Sequence, residues 1–204
     1  MTRRVLIIVL AVAGPSLHAP LSAPAAAQAR PVAPPAAAQI AAAVLPLPPD
    51  LRAGATVLGY GEGGRLVPLR RGAGEMTCLA SNPARTDFHV ACYHQSLEPF
   101  MARGRALRAE GVTGDQVDTV RFAEVRAGRL AMPSHAAMLY SLTGPAGSFD
   151  AASGEARGAR RLFVTYVPNA TAATTGLSTK PSPGSPWIMF PGTPKAHIMY
   201  TPDM

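Results

Sequence analysis

His94, Glu98 and His197 are the side chains of this sequence best suited to chemistry. Two imidazole nitrogens and a carboxylate would hold zinc, or another transition metal, with a position open for water or substrate. Without a metal, His94 or His197 would act as a general base oriented by Glu98. The spacing carries little specificity. His94 and Glu98 are four apart, but Pro99 puts the helix start near Ser96, and the second His and internal Glu of the helical zinc motif are absent. The plainer role for a lone His such as His197, which shares a strand face with Met199, is a core or edge residue bonded to a backbone carbonyl. His89 and His94, five apart on one strand, point to opposite faces and cannot share a metal while that strand runs straight.

Other chemistries find less support. No Gly-x-Ser-x-Gly elbow exists, and Ser96, Ser134, Ser141, Thr174, Thr175 and Ser178 are scattered. Ser96 is explained as a helix cap. The Gly61, Gly63 and Gly64 cluster lacks the Lys-Ser/Thr pair and following helix of a phosphate loop. In an enzyme, Arg103 or Arg105 would bind an anionic group. Trp187, the single tryptophan, closes a long Thr/Ser/Pro/Gly-rich loop (Pro168–Pro186). With Met189, Phe190 and Tyr200 it would line a ligand groove, the alternative being a core plug that pins a strand-like tail.

The elements that must position these residues follow from pattern. Ala55–Tyr60 and Arg65–Leu69 flank a glycine turn, a hairpin signature. Met76–Ala80 and Phe88–His94 flank Ser81–Asp87, which is turn chemistry, and complete an antiparallel meander. A disulfide, Cys78–Cys92, fits that hairpin. Leu97, Phe100, Met101, Gly104 and Leu107 recur at helical spacing, and Thr113–Gln116 matches a capping box for a second helix carrying Val117, Val120, Phe122 and Val125. Ala137–Leu142, Arg161–Val167 and Ala196–Tyr200 are strands. The expected fold is α+β: an antiparallel sheet of five to six strands with two consecutive helices packed on one face.

The ends of the chain speak to location. Arg3 and Arg4, the apolar run Val5–Ala13 and Ala27-Gln28-Ala29 read as an export signal cleaved after Ala29. Residues 30–50, rich in Ala and Pro, read as a semi-rigid spacer, with Ile40–Val44 able to form one helical turn or a strap on the domain. A single domain follows, 51–204. No Cys precedes Cys78, which excludes a lipidated N-terminal Cys, and no later segment is apolar enough for a span. The mature protein is therefore expected in the periplasm or outside the cell.

Composition narrows the function classes. Of 204 residues, 48% are hydrophobic and only 15% charged, so a packed core is expected and global disorder is not. The 21 Pro and 19 Gly exclude a coiled coil or long-helix bundle. The net charge of +7 comes from Arg spread along the chain, without the basic stripe and interleaved aromatics of a nucleic-acid binder, so no nucleic acid is expected as partner. Two functions remain. The first is an exported binding or interaction domain whose ligand is an envelope component, a peptide or a protein. The second is a small exported hydrolase or metal-dependent enzyme using His94, Glu98 and His197. The enzyme requires those three side chains to converge; the binding domain expects them apart and a groove near Trp187.

Overall fold

The computed structural model describes residues 32–182 and 184–202, and the expected export signal lies outside them. Helix α1 (Ala36–Ala43) and the single turn α2 (Pro49–Arg52) precede strands β1 (Thr56–Tyr60), β2 (Leu66–Arg70), β3 (Met76–Leu79) and β4 (Asp87–His94). Helices α3 (Glu98–Ala109) and α4 (Gln116–Arg126) come next. Then follow β5 (Ala137–Pro145), a ribbon of β6 (Phe149–Asp150) and β7 (Glu155–Ala156), and β8 (Arg160–Tyr166). The short α5 (Ala172–Thr175), β9 (Trp187–Met189) and β10 (His197–Tyr200) end the described fold.

One mostly antiparallel sheet of eight strands, ordered β2-β1-β3-β4-β5-β8-β10-β9, replaces the five to six strands expected. Part of the difference is β9. Its three residues look too short for a strand, yet they pair with β10 from His197↔Met189 to Met199↔Trp187. The expected meander is also reordered, because β3 lies beside β1 and parallel to it, with Val57 opposite Cys78. Pro68 has no N–H to give a ladder, which suits only an edge, and β2 is the edge. The chain then returns tightly past β1. Gly74 donates its N–H to the Gly54 carbonyl at 2.8 Å, and a Cβ on Gly72 would fall 2.0 Å from that same oxygen. Only glycine permits this approach, which delivers β3 to the free side of β1.

Each face of the sheet has its own cover. On one face Tyr93, Leu97, Val164 and Tyr166 form a buried cluster with Met101 of α3 and Met199 packed on it, and α4 packs on α3. On the opposite face α1 packs over Val57, Met76, Cys78 and Cys92. The stretch expected to be a spacer is thus part of the folded unit from residue 36, in keeping with the strap alternative. Ala is the best helix former, and its small side chain lets α1 sit close to the sheet. Ala42, Ala43 and Leu47 are buried, and Ala43 O lies 3.1 Å from Cys92 Sγ. Gln39, also buried, pins the helix to β1: its amide donates to Pro34 O and Tyr60 O, and its carbonyl accepts from the Tyr60 N–H at 2.8 Å.

The disulfide Cys78–Cys92 is formed between directly opposed residues of β3 and β4. Among the described residues no helix is long and apolar enough to cross a membrane.

Candidate functional site

The structure does not bring His94, Glu98 and His197 together. His94 ends β4 on the disulfide face, because it alternates with Tyr93. His197 opens β10, with β5 and β8 between it and β4, so roughly 14 Å of sheet separates them. It also belongs to the opposite face, the one that carries Tyr93, Val164 and Met199. His197 is buried, its Nδ1 lies 2.7 Å from the Lys195 carbonyl, and its ring packs on Tyr166 and Phe190. Burial pulls its pKa below the usual histidine value, as expected for a neutral core imidazole.

Glu98 and the two arginines are engaged internally. The buried Tyr93 hydroxyl donates to Glu98, and Arg105 donates to that hydroxyl at 2.8 Å and to the other Glu98 oxygen at 2.5 Å. Burial, then the Glu98 hydrogen bond, pushes the Tyr93 phenol far above its usual pKa. This cluster lies on the helix-covered face, away from the His94 ring. Arg103 forks onto Glu124 at 2.8 and 2.9 Å and reaches Glu110 at 3.4 Å. Both guanidiniums expected to receive an anionic ligand are therefore matched by carboxylates of the chain itself.

Trp187 and Tyr200 also diverge. Met199 is the cross-strand partner of Trp187, so Tyr200, the next residue, points to the other face. Trp187 is 8% exposed and its indole N–H has no partner among the described residues, whereas Tyr200 is 38% exposed. The tryptophan sits in the core rather than in a wall shared with Tyr200.

What His94 does meet is His135, a residue that spacing gave no reason to select. It stands in the turn before β5, and the two ring centroids are 6.1 Å apart with planes at 80°. His94 Nδ1 caps the turn that leads to α3: it accepts from the Ser96 N–H at 3.2 Å and lies 2.8 Å from Ser96 Oγ. The rings border a cleft of about 530 Å³, together with Met76, Met138, Tyr140 and Leu51 on its walls and Asp50 and Glu75 near them. Its floor is the β3–β4–β5 sheet two residues along from the disulfide, which makes it rigid. Among the described residues neither imidazole forms an ion pair with a carboxylate. No group of three or more His, Cys, Asp or Glu side chains among them is placed to hold a metal.

A second depression, of about 280 Å³, lies between α1 and the turn before β4, beside the stacked rings of Phe88 and Phe149. Its polar groups are already used. Gln39 is bound to β1, Asn82 accepts from Ala84, and Arg85 and Asp87 pair at 2.6 and 2.8 Å. Orienting a ligand takes polar groups with capacity to spare, and the histidine cleft has them.

Compared with protein families, curated proteins and solved structures, the chain matches none.

Proposed function

We propose that the protein is an exported binding module and that its ligand site is the His94–His135 cleft. The observation that carries this reading is the pair of imidazoles, without an ion-paired carboxylate among the described residues, bordering a cleft of about 530 Å³ on a disulfide-pinned floor. The leader pattern and the disulfide are compatible with export. Separation of His94 from His197, and capture of Glu98 by Tyr93 and Arg105, weigh against the hydrolase built from those three residues. The cleft suits a small ligand with a polar head, set between the imidazoles, and an apolar body against Met76, Met138 and Tyr140. Asp50 and Glu75 make a neutral or cationic ligand preferable to an anion.

The test is a two-dimensional NMR screen of the isotope-labelled chain against neutral and cationic aromatic fragments. Fragments that bind shift the His94 and His135 ring signals and the Met76 and Met138 methyls together. A library that moves none of these, or that moves only Phe88 and Phe149 beside α1, would overturn the assignment.

A further inference from the structure

Two arginines meet where the chain leaves α1. Arg161 of β8 stands opposite Leu142 of β5, on the face that α1 covers. Its Nη1 donates to the Leu45 carbonyl at 3.3 Å and to the Pro46 carbonyl at 3.2 Å. Arg52, the last residue of α2, donates from Nη2 to the same Leu45 carbonyl at 3.1 Å and from Nε to the Leu47 carbonyl at 2.9 Å. The two nitrogens that share Leu45 O therefore stand no farther apart than those two distances added together, about 6.4 Å. Capping α1 accounts for part of this, because the carbonyl end of a helix carries about half a negative charge and attracts cations. Two guanidiniums bring two positive charges, however, and among the described residues neither forms an ion pair. More than one positive charge is left uncompensated. Each guanidinium has five N–H groups and gives two hydrogen bonds to carbonyls, so donors remain on both. Arg161 is exposed and Arg52 half-buried, which leaves those donors open to a ligand.

Both arginines border a groove of about 340 Å³ that adjoins the histidine cleft at Tyr140. Pro48, Pro49, Tyr140 and Phe163 give it apolar walls, and the two aromatic rings meet edge to face with centroids 5.6 Å apart. No carboxylate lines it. The same arginines border a hollow of about 370 Å³ on another side, but Glu155 lines that one and would repel an anion. We infer that the groove binds a phosphate monoester carried on a ring, with the phosphate between Arg52 and Arg161 and the ring against Phe163 and Tyr140. Charge selects the head group. A phosphate monoester carries about −1.5 to −2 at pH 7 and matches two guanidiniums, whereas a carboxylate carries a single charge. Its oxygens accept from arginine at about 2.7–2.9 Å, so one phosphate spans the gap between the two groups. The carbonyls that hold both arginines fix their place before the ligand arrives, which lowers the ordering cost of binding.

The experiment is a calorimetric titration of the purified full chain with phenyl phosphate at pH 7 and low salt, followed by NMR of the aromatic side chains. About one equivalent binds and shifts the Phe163 and Tyr140 ring signals. Benzoate, with one charge, binds more weakly. Arg161→Gln weakens phenyl phosphate by about tenfold or more, because hydrogen bonds to a charged group are lost, and Arg161→Lys recovers only part of this because the planar fork is gone. Phe163→Leu keeps both guanidiniums; it weakens phenyl phosphate and leaves the affinity for inorganic phosphate unchanged. Vesicles of phosphatidylcholine with phosphatidic acid present the same monoester on a lipid. Sedimentation with them that phenyl phosphate reverses makes a lipid headgroup the source, and binding of phenyl phosphate alone makes it a soluble monoester; either supports the site. Refusal of phenyl phosphate overturns the inference and leaves the arginines as caps of α1. So does binding that Arg161→Gln leaves unchanged, binding that shifts His135 in place of Phe163 and Tyr140, or benzoate bound as tightly as phenyl phosphate.

Discussion

Removing the charge of Asp118 tests how the helical layer is held to the sheet. Asp118 of α4 accepts from Lys195 Nζ at 2.8 Å and from Arg121, whose side chain is only 5% exposed. Arg121 also donates to the Phe100 carbonyl at 3.1 Å, lies 3.8 Å over the Phe100 ring, and has a buried Nε–H without a partner among the described residues. Asp118→Asn keeps the shape but leaves that guanidinium facing a neutral amide. Breaking a fully buried pair costs about 3–5 kcal/mol. Asp118 and Lys195 are 19% and 21% exposed, so water recovers part of this. The expected loss is about 2–3 kcal/mol, a fall in Tm of roughly 4–12 °C for a chain of this size. Adding Arg121→Met removes the stranded charge and should restore most of the loss.

The pH dependence has a definite sign. Burial raises the Asp118 pKa, but the Lys195 and Arg121 hydrogen bonds outweigh it and hold the carboxyl below its ordinary 3.8. A folded pKa below the unfolded one adds stability above the unfolded value, and that stability disappears as pH falls through the folded value. Wild-type stability should therefore drop below about pH 4, with a flatter acid limb in Asp118→Asn. Urea melts at neutral pH and down the acid limb measure both effects. A loss under about 0.5 kcal/mol, within the range of an ordinary surface substitution, or an unchanged acid limb, would refute the reasoning.

Three further outcomes are expected. The double replacement Cys78→Ala/Cys92→Ala opens a loop whose ends are 14 residues apart and should cost about 3 kcal/mol, read from denaturant melts beside the oxidised protein. Gln39→Ala removes three hydrogen bonds between α1 and its neighbours from a residue 5% exposed; a loss of about 2–3 kcal/mol in the same melts is expected, and no loss would mean that α1 does not support the sheet. Burial and Glu98 keep Tyr93 from ionising in the ordinary tyrosine range, and burial pushes Tyr166 to about 12. Alkaline ultraviolet titration of Tyr93→Phe should therefore match wild type until unfolding, although the variant loses about 1–2 kcal/mol of stability.

Local features were legible wherever a local rule applied. Alternation located β4, β5, β8 and β10 to within a few residues, and the Cys pair located its own bond. The expected capping box at Thr113–Gln116 does not form. Asp115 precedes α4 without a side-chain cap, and the helix is tied to the rest of the fold by Asp118 to Lys195 and by Arg121 to the Phe100 carbonyl. The parallel placement of β3 depends on Pro68 and on the Gly54–Gly74 approach. Proline at an edge is a signal that sequence offers, but the glycine contact exists only once the chain has turned back. The candidate site was half legible. His94 was selected by type, but its wrong partner, His197, was chosen because alternation fixes the face of a residue within its own strand and not the order of strands. His135 lies in a turn, where no period applies.

The position of the cleft follows from the limits of α1. That helix packs on β1 and β4, then ends at Ala43, and the chain turns through Leu47 into the short α2. The sheet face beneath Ala42 and Ala43 is sealed, with the disulfide below it. At that end of the face His94, beside the buried Met76, borders the cleft with Asp50 and Leu51 of α2. A longer α1 would have buried His94 in an apolar core and made an imidazole there costly. Instead the helix stops, and Ser96 satisfies one His94 nitrogen. His135 stands beside the ring at this uncovered end of the face, whereas the arginines and carboxylates of the helical face are already paired with one another.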